Sequence, residues 1–257
     1  MSEFDEEKVR QHIEKLHAAN ADKDTIPGIH NYCDRWCERC MFTRHCAVYK
    51  MTKDDEDDLD GNNKAFWERL ALNFAAIRKM IEDSMERFDI DPEELKQNAD
   101  AFRWEEREET DAEKLTRTYS DKITDWLKKN KETFHEIMLR EGMENEAMVL
   151  AVDDAVEVLY WYADFIHVKT RRAMDTNDPF GLENEPFEER FYDNLGTAKI
   201  VLISIKRSME ALSFLMNYMP EQEDEILSLL VLLEKSQRKI KERWPTAMAF
   251  KRPGFDD

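Results

Sequence analysis

The longest helical pattern in the sequence is MENEAMVLAVDDAVEVLYWYADFIHVKTRRAMD, at residues 143–175. Its apolar side chains recur every three or four residues, which is the period of one face of an α-helix. The members of this stripe are Met148, Val152, Val156, Leu159, Ala163, Ile166, Thr170 and Ala173. The pattern predicts a long amphipathic helix with one face in a hydrophobic core.

The same periodicity recurs along most of the chain. Further helical segments are predicted at 5–20, 62–89, 111–140, 187–219 and 221–243. We find no stretch with the two-residue alternation of a β-strand. All seven prolines and five of the six glycines lie between periodic segments, and only Gly196 lies inside one. Because both residue types destabilise helix interiors, this distribution favours an all-α protein.

We therefore predict a helical bundle of about six main helices, formed as a single domain over residues 1–257. Three connecting segments have their own signals. The acidic run DDEDDLDG at 54–61 and the stretch TNDPFGLENEP at 176–186 are typical of loops. Asp91-Pro92-Glu93-Glu94 is typical of a helix start, with a capping Asp, Pro at the first position and acids at the positive end of the helix dipole. The basic, aromatic end of the chain, 244–257, is expected to be a flexible tail.

The composition restricts the class of partner. The net charge is −19 and 37% of the residues are charged. A chain this acidic is a poor match for duplex nucleic acid or for an anionic membrane surface. No apolar run approaches the roughly 20 residues that span a bilayer, and the acidic start MSEFDEEKVR lacks the apolar core of a signal peptide. These features predict a cytoplasmic protein without a membrane segment, whose partner is another protein.

Residues 30–49 read HNYCDRWCERCMFTRHCAVY and contain every cysteine of the chain, namely Cys33, Cys37, Cys40 and Cys46. Disulfides are rare in the cytosol, so the spacing C-x3-C-x2-C-x5-C favours metal binding by thiolates. Structural zinc usually takes two pairs of ligands on separate arms, whereas one tight loop suits an iron–sulfur cluster. We expect a [4Fe–4S] cluster on these four cysteines, with zinc as the alternative and a metal-free loop as a further one.

The last three cysteines, in CERCMFTRHC at 37–46, have the spacing C-x2-C-x5-C. This spacing resembles the iron–sulfur loops of helix-hairpin-helix DNA glycosylases and of CRISPR-adaptation nucleases. The resemblance covers about ten residues, and Cys33 lies closer in sequence than the first cysteine does in those families. The resemblance implies a [4Fe–4S] cluster and raises, as an alternative, an iron–sulfur protein linked to nucleic acid.

The surroundings of the cysteines, within the Cys-rich segment 30–50, are basic and aromatic. The cations could offset the charge of a cluster, and the aromatic rings could either shield it from water or dock the segment onto the bundle. The cations are Arg35, Arg39, Arg44 and Lys50, and the rings are Tyr32, Trp36, Phe42 and Tyr49. His30 and His45 are candidates to replace one thiolate ligand.

A second candidate site lies on the longest predicted helix. Glu157, Tyr160, Asp164 and His167 form a polar line beside its apolar stripe. Carboxylate and histidine side chains in a bundle can bind metals or transfer protons, so Glu157, Asp164 and His167 are the candidate catalytic residues of a metal-dependent or redox enzyme. The other interpretation is an ordinary boundary stripe in which His167 forms a hydrogen bond between helices. Whether the protein is an enzyme stays open at this point, and a structural metal centre in a partner-binding module is our first expectation.

Overall fold

The structure is a computed structural model of the chain. It describes residues 6–52, 64–91, 93, 107–142, 145–175 and 187–256, without the side chains of 141–142 and 187–192. The predicted acidic loop at 54–61, the predicted loop at 176–186 and the predicted helix after Glu93 lie outside these residues. At the predicted start of that helix, Asp91 Oδ1 accepts from the Glu93 N–H at 2.9 Å.

All regular secondary structure in the described residues is helical, which confirms the predicted fold class. The α-helices are α1 (Glu6–Ala21), α2 (Ala47–Thr52), α3 (Lys64–Arg87), α4 (Asp111–Lys129), α5 (Lys131–Gly142), α6 (Glu146–Met174), α7 (Phe187–Met216) and α8 (Glu223–Arg243). Short 3-10 turns occupy Ile29–Tyr32, Cys37–Arg39, Thr43–His45, Pro220–Gln222 and Ala247–Ala249. None of the helices in the described part of the chain combines the length and the apolar composition that crossing a bilayer requires.

The described residues contain eight α-helices rather than about six. One addition is the short helix α2, and the other arises because the pattern at 111–140 is interrupted at Asn130. The backbone N–H and the Nδ2 of Asn130 both donate to the carbonyl of Trp126, at 3.0 and 2.9 Å. The Asn130 carbonyl then accepts from the Phe134 N–H at 3.0 Å and begins α5. Trp126 and Phe134 are both buried, so the apolar period continues across the break.

The contacts of the chain divide it into two compact units, whereas the sequence analysis expects one domain. The α1–α3 unit comprises Met1–His30, Cys37–Glu105 and Pro253–Asp257, and the α4–α8 unit comprises Asn31–Trp36 and Glu106–Arg252. The cysteine segment is thus shared between the two units.

The α4–α8 unit has a continuous hydrophobic core. Helix α6 packs against α4, α5 and α7, and α8 packs against α4 and α7. The stripe predicted for α6 is confirmed as its core face, because Val152, Leu159 and Ile166 are fully buried. Side chains from the neighbouring helices complete this core, among them Tyr119, Ile123, Ile205, Leu212, Ile226, Leu233 and Ile240.

The start of α4 carries an ion pair between the buried Glu113 and the half-buried Arg107. Glu113 forms a capping box with Thr110, whose Oγ1 accepts from the Glu113 N–H at 3.3 Å while a Glu113 carboxylate oxygen accepts from the Thr110 N–H at 2.8 Å. Arg107 donates to both carboxylate oxygens of Glu113, at 2.8 and 2.6 Å. Burial alone raises the pKa of the Glu113 carboxyl, but the hydrogen bonds from Arg107 and Thr110 outweigh burial and hold this pKa below its ordinary value.

The α1–α3 unit buries far fewer apolar side chains than the α4–α8 unit. Its buried apolar residues among those described are Val9, Ile29, Ala47 and Ala76. Helix α3 forms over nearly the predicted range of 62–89, yet most of its apolar stripe faces solvent. The stripe predicted there is Phe66, Leu70, Phe74, Ile77, Ile81, Met85 and Phe88, of which Phe74, Ile77, Ile81 and Phe88 are exposed.

The segment expected to be a flexible tail is instead packed over much of its length. Trp244 is 3% exposed and donates its indole N–H to the Ala173 carbonyl at 3.1 Å. Ala247 is fully buried, and the Lys199 ammonium donates to the Phe250 carbonyl at 2.5 Å. The physical reason is the apolar content of the segment, since Trp244 and Ala247 join the core of the α4–α8 unit.

Candidate metal-binding segment

The four cysteines occupy turns and helix boundaries. Cys33 follows the turn Ile29–Tyr32 and belongs to the α4–α8 unit, while the other three belong to the α1–α3 unit. Cys37 begins a 3-10 turn, Cys40 follows that turn and Cys46 directly precedes α2. All four side chains are half-buried, and none of them forms a disulfide bond.

On its N-terminal side, Cys33 is held by Tyr32. The Tyr32 ring packs edge-to-face on Phe250, with ring centroids 4.8 Å apart, and it lies over the backbone of Gly196 in α7. A Cβ atom at position 196 would lie less than 3.0 Å from ring atoms of both Tyr32 and Phe250. This close approach explains why the glycine inside a helical pattern is tolerated there.

On its C-terminal side, Cys33 is held by Asp34. One carboxylate oxygen of Asp34 accepts from the Tyr162 hydroxyl at 2.7 Å and from the Arg207 guanidinium at 2.9 Å. Arg207 also donates to the Tyr162 hydroxyl oxygen at 2.6 Å. The Asp34 carbonyl accepts from the indole N–H of Trp161 at 2.9 Å. Burial, followed by the negative charge of Asp34, raises the pKa of the Tyr162 phenol, so Tyr162 stays a neutral donor.

Trp36 adds an aromatic anchor. Its ring stacks on Trp161 with centroids 5.0 Å apart and an interplanar angle of 11°, and its backbone N–H donates to Asp34 at 3.2 Å. Arg35, between these anchors, has φ of 61°, in the left-handed region. For a residue with a Cβ this conformation costs about 1–2 kcal/mol, which the contacts of Asp34 and Trp36 offset. Of the two roles considered for the aromatic residues, docking is the one that Tyr32 and Trp36 perform in these contacts.

Lys169, on α6, is the cation whose charge interacts with Cys33. Burial, followed by the positive charges of Arg172 and Arg35, lowers the pKa of the Lys169 ammonium, and Cys33 and Asp193 partly oppose this change. Arg172 is bound to Asp193 through several hydrogen bonds, the shortest at 2.8 Å. Lys169 and Cys33 are thus close enough for their charges to interact. A neighbouring cation stabilises negative charge on a sulfur atom.

Cys37 and Cys40 are joined by a tight turn. The Cys40 N–H donates to the Cys37 carbonyl at 3.1 Å. The Phe42 N–H then donates to the Cys40 sulfur at 3.4 Å. Hydrogen bonds to sulfur stabilise its thiolate form and tune the metal centres that thiolates bind. Phe42 itself packs edge-to-face on Phe255, with centroids 4.9 Å apart.

The end of the segment is fixed to the loop after α1. The His45 carbonyl accepts from the Ile26 N–H at 2.9 Å, and the His45 Nδ1 lies 2.7 Å from the Asp24 carbonyl. Because a carbonyl only accepts, Nδ1 carries the proton, and Nε2 has the lone pair when the ring is neutral. Lys50 donates to Asp22 and Thr25 at 2.6 and 2.8 Å, so this member of the basic set already has an anionic partner.

Among the residues that the structure describes, no three Cys, His, Asp or Glu side chains are grouped so that they could hold a metal ion. Cys33 lies on an anchored stretch of the α4–α8 unit, and Cys37, Cys40 and Cys46 lie on an anchored stretch of the α1–α3 unit.

The second candidate site joins two helices. The Ser120 hydroxyl donates to Asp164 at 2.5 Å, and Thr116 and the His167 Nδ1 lie 3.3 Å apart. Thr116 and Ser120 are one turn apart on α4, so Asp164 and His167 both link α6 to α4. Burial, followed by the positive charge of Arg117, lowers the pKa of His167.

Glu157, the third candidate of this group, is exposed. The contacts of Asp164 and His167 join α6 to α4, as expected if this polar line is an ordinary boundary stripe with hydrogen bonds between helices.

The anchor of Cys33 was missed at the sequence level. Tyr162 and Arg207 are separated from Asp34 by 128 and 173 positions, and no local pattern connects them. For the Tyr32 contact a signal was available, because a glycine inside a helical pattern is compatible with the close approach of another side chain, as Tyr32 makes at Gly196. No known protein family, curated protein or solved structure matches this chain.

Proposed function

We propose that this chain is a helical metalloprotein that binds a [4Fe–4S] cluster through Cys33, Cys37, Cys40 and Cys46. In this proposal the cluster has a structural role in a module that binds another protein, in a reducing compartment such as the cytoplasm. The observation that carries the proposal is that the four cysteines of a 257-residue chain all lie within fourteen positions. All of them are half-buried and outside disulfides.

The surroundings of the sulfur atoms support this proposal. The cluster with four thiolates has a net negative charge, and Lys169, whose charge interacts with Cys33, would partly offset it. The Phe42 N–H supplies a hydrogen bond to the Cys40 sulfur. Tyr32 and Asp34 restrain the backbone on both sides of Cys33, which reduces the conformational entropy that binding would remove.

A metal held by four side chains of one short segment would fix the backbone of that segment. Metal binding then contributes directly to folding free energy. We expect the metal-bound protein to melt at a higher temperature and to resist proteolysis between residues 37 and 46 better than the metal-free protein.

The test is anaerobic purification followed by an absorption spectrum and by iron, sulfide and zinc assays on one sample. We expect absorption near 400 nm with about four iron and four sulfide per chain. Serine at any of the four cysteines should lower both metal content and melting temperature. Met41→Ala is the matched control, because Met41 lies in the same loop and is 83% exposed. A Cys33→Ser variant with unchanged metal and melting temperature would remove Cys33 from the ligand set.

Structural zinc is the second candidate, and His45 favours it. Histidine ligands of zinc generally donate their other ring N–H to a carbonyl or carboxylate, as His45 does to Asp24. A set of Cys37, Cys40, Cys46 and His45 would have the three-cysteine, one-histidine composition of structural zinc sites. In that case the protein is colourless with one zinc, His45→Ala loses the metal and Cys33→Ser retains it.

A further inference from the structure

Cys37 and Cys40 lie one turn apart on a 3-10 turn. The turn begins at Cys37, and the Cys40 N–H donates to the Cys37 carbonyl at 3.1 Å. One turn of this kind rises by about 6 Å, and side chains three positions apart lie one above the other. A disulfide bond requires Cα atoms that are roughly 4.4–6.8 Å apart. The backbone between Cys37 and Cys40 therefore meets the distance requirement of a disulfide.

The other two cysteines do not share this turn. Cys33 belongs to the α4–α8 unit. Cys46 follows six positions after Cys40, and its N–H donates to the Thr43 carbonyl at 3.2 Å in a turn of its own. The Phe42 N–H donates to the Cys40 sulfur at 3.4 Å and so holds that sulfur close to the turn. The local backbone thus favours one pair among the four cysteines.

The pair is accessible from solvent. Cys37 and Cys40 are half-buried and outside disulfides, and their neighbours Glu38, Arg39 and Met41 are exposed. A reagent as small as a peptide disulfide can therefore reach the turn. In reducing compartments the disulfides that do form are usually transient and sense the redox state. This chemistry is compatible with the compartment proposed above.

We propose that Cys37 and Cys40 form a redox-active dithiol, which a small-molecule disulfide such as oxidised glutathione converts to an intramolecular disulfide when the segment holds no metal. One thiolate attacks a sulfur of the small disulfide and expels one glutathione thiolate, which leaves a mixed disulfide on the protein. The second thiolate attacks that protein sulfur and expels the other glutathione thiolate. The two protons of the dithiol pass to the released thiolates, so two cysteines are oxidised and one small disulfide is reduced to two thiols.

The disulfide has a consequence for metal binding, and this consequence rests on the proposed function. Because the thiolate is the form that binds metal, the disulfide removes two of the four proposed ligands until a thiol reduces it. It also protects both sulfur atoms from irreversible oxidation to sulfinic and sulfonic acids. Formation of the disulfide itself does not depend on which metal the segment binds.

Disulfide mapping of the full-length, metal-free chain tests the pairing. The chain is treated with oxidised glutathione, alkylated and digested with trypsin, which cleaves after lysine and arginine. Every cysteine then lies on a peptide of its own, and these peptides are 24–35, 36–39, 40–44 and 45–50. We expect 36–39 linked to 40–44 as the main species, with two of the four cysteines still open to alkylation. The same reaction in urea is the control and should give several pairings. Equal mixtures of pairings in the native and the unfolded chain overturn the proposal.

Single variants test the two steps of the reaction. Cys37→Ser should stop at the mixed disulfide, with one glutathione on Cys40. Cys46→Ser is the matched control, because it also removes one thiol of the segment, and it should keep the link between Cys37 and Cys40. Loss of that link in Cys46→Ser, or its absence from the wild-type chain, overturns the proposal.

Metal loading separates this inference from the proposed function. The reduced chain and the oxidised chain are each offered iron with sulfide, or zinc, and the bound metal is assayed. We expect the oxidised chain to lose metal uptake and to recover it after reduction. Equal uptake by both forms overturns the consequence for metal binding. A reduced chain that takes up no metal, with the link between Cys37 and Cys40 still found, contradicts the proposed function and leaves the redox-active pair established.

Discussion

Helices α3 and α6 carry the same kind of apolar stripe, and their surroundings differ. Helix α6 buries nine residues, and α3 buries one among its described side chains. Helix α6 has neighbours on several sides within its unit, whereas α3 packs mainly on α1. A periodic stripe states that one face of a helix is apolar. Whether that face lies in a core depends on how many other helices cover it. The stripe carries no information about those helices.

The largest expected effect compares one isoleucine in each helix. Ile166 is fully buried in α6, and Ile81 is 54% exposed in α3. We expect Ile166→Ala to lower the free energy of unfolding by about 2–5 kcal/mol, through lost burial and the cavity left behind. Ile81→Ala should change it by less than about 0.5 kcal/mol. Urea unfolding of both variants provides the measurement, and equal losses would show that the two faces are equally buried.

A smaller effect, dependent on pH, distinguishes the ion pairs of the two units. Glu113 of the α4–α8 unit is buried and pairs with the half-buried Arg107, while Glu7 of α1 pairs with Arg10 on the surface. Glu113→Gln should lower the free energy of unfolding by about 1.5–3 kcal/mol at pH 7, as expected for hydrogen bonds to a charged group. Glu7→Gln, the control, should leave it unchanged.

The pH dependence follows from the direction of the Glu113 shift. Its pKa is lower in the folded chain than in the unfolded chain, so its contribution is complete above the unfolded pKa of about 4.3. That contribution is lost as the pH falls through the lower, folded pKa. The difference between wild type and Glu113→Gln should therefore shrink in acid, as measured by melting temperature against pH. A difference that is constant down to the acid limit would contradict this account.

The smallest effect concerns the anchor of Cys33. Gly196→Ala should lower the free energy of unfolding by up to about 2 kcal/mol, because overpacking against Tyr32 costs about 1–3 kcal/mol and the gain in helix propensity is about 1 kcal/mol. In a Tyr32→Ala background, where the ring is absent, the same substitution should be neutral or stabilising. A destabilisation that persists in that background would assign the effect to something other than the ring.

Several features of the fold were predictable because their causes are local. Hydrophobic periodicity and the positions of proline and glycine placed α1, α3, α6, α7 and α8 within a few residues of their observed ends. The break at Asn130 was not predictable from periodicity, since Trp126 and Phe134 keep the apolar period on both sides of it. The packing of the segment after Trp244 was also not predicted, because basic residues and proline near the chain end are typical of a flexible tail.

The candidate site shows the same division. The spacing of the four cysteines is a property of consecutive residues, so the sequence alone singles out Cys33, Cys37, Cys40 and Cys46. The partners that hold Asp34 come from α6 and α7, more than a hundred positions away.

The sequence by itself therefore determined the helical class, most helix boundaries and the concentration of thiols, because each depends on residues a few positions apart. Only the tertiary structure decided that Tyr162 and Arg207 anchor Asp34, that Gly196 admits the Tyr32 ring and that the apolar face of α3 stays exposed. Those outcomes depend on which distant helices and loops contact each other. Contacts between side chains far apart in sequence produce no periodic pattern in the sequence.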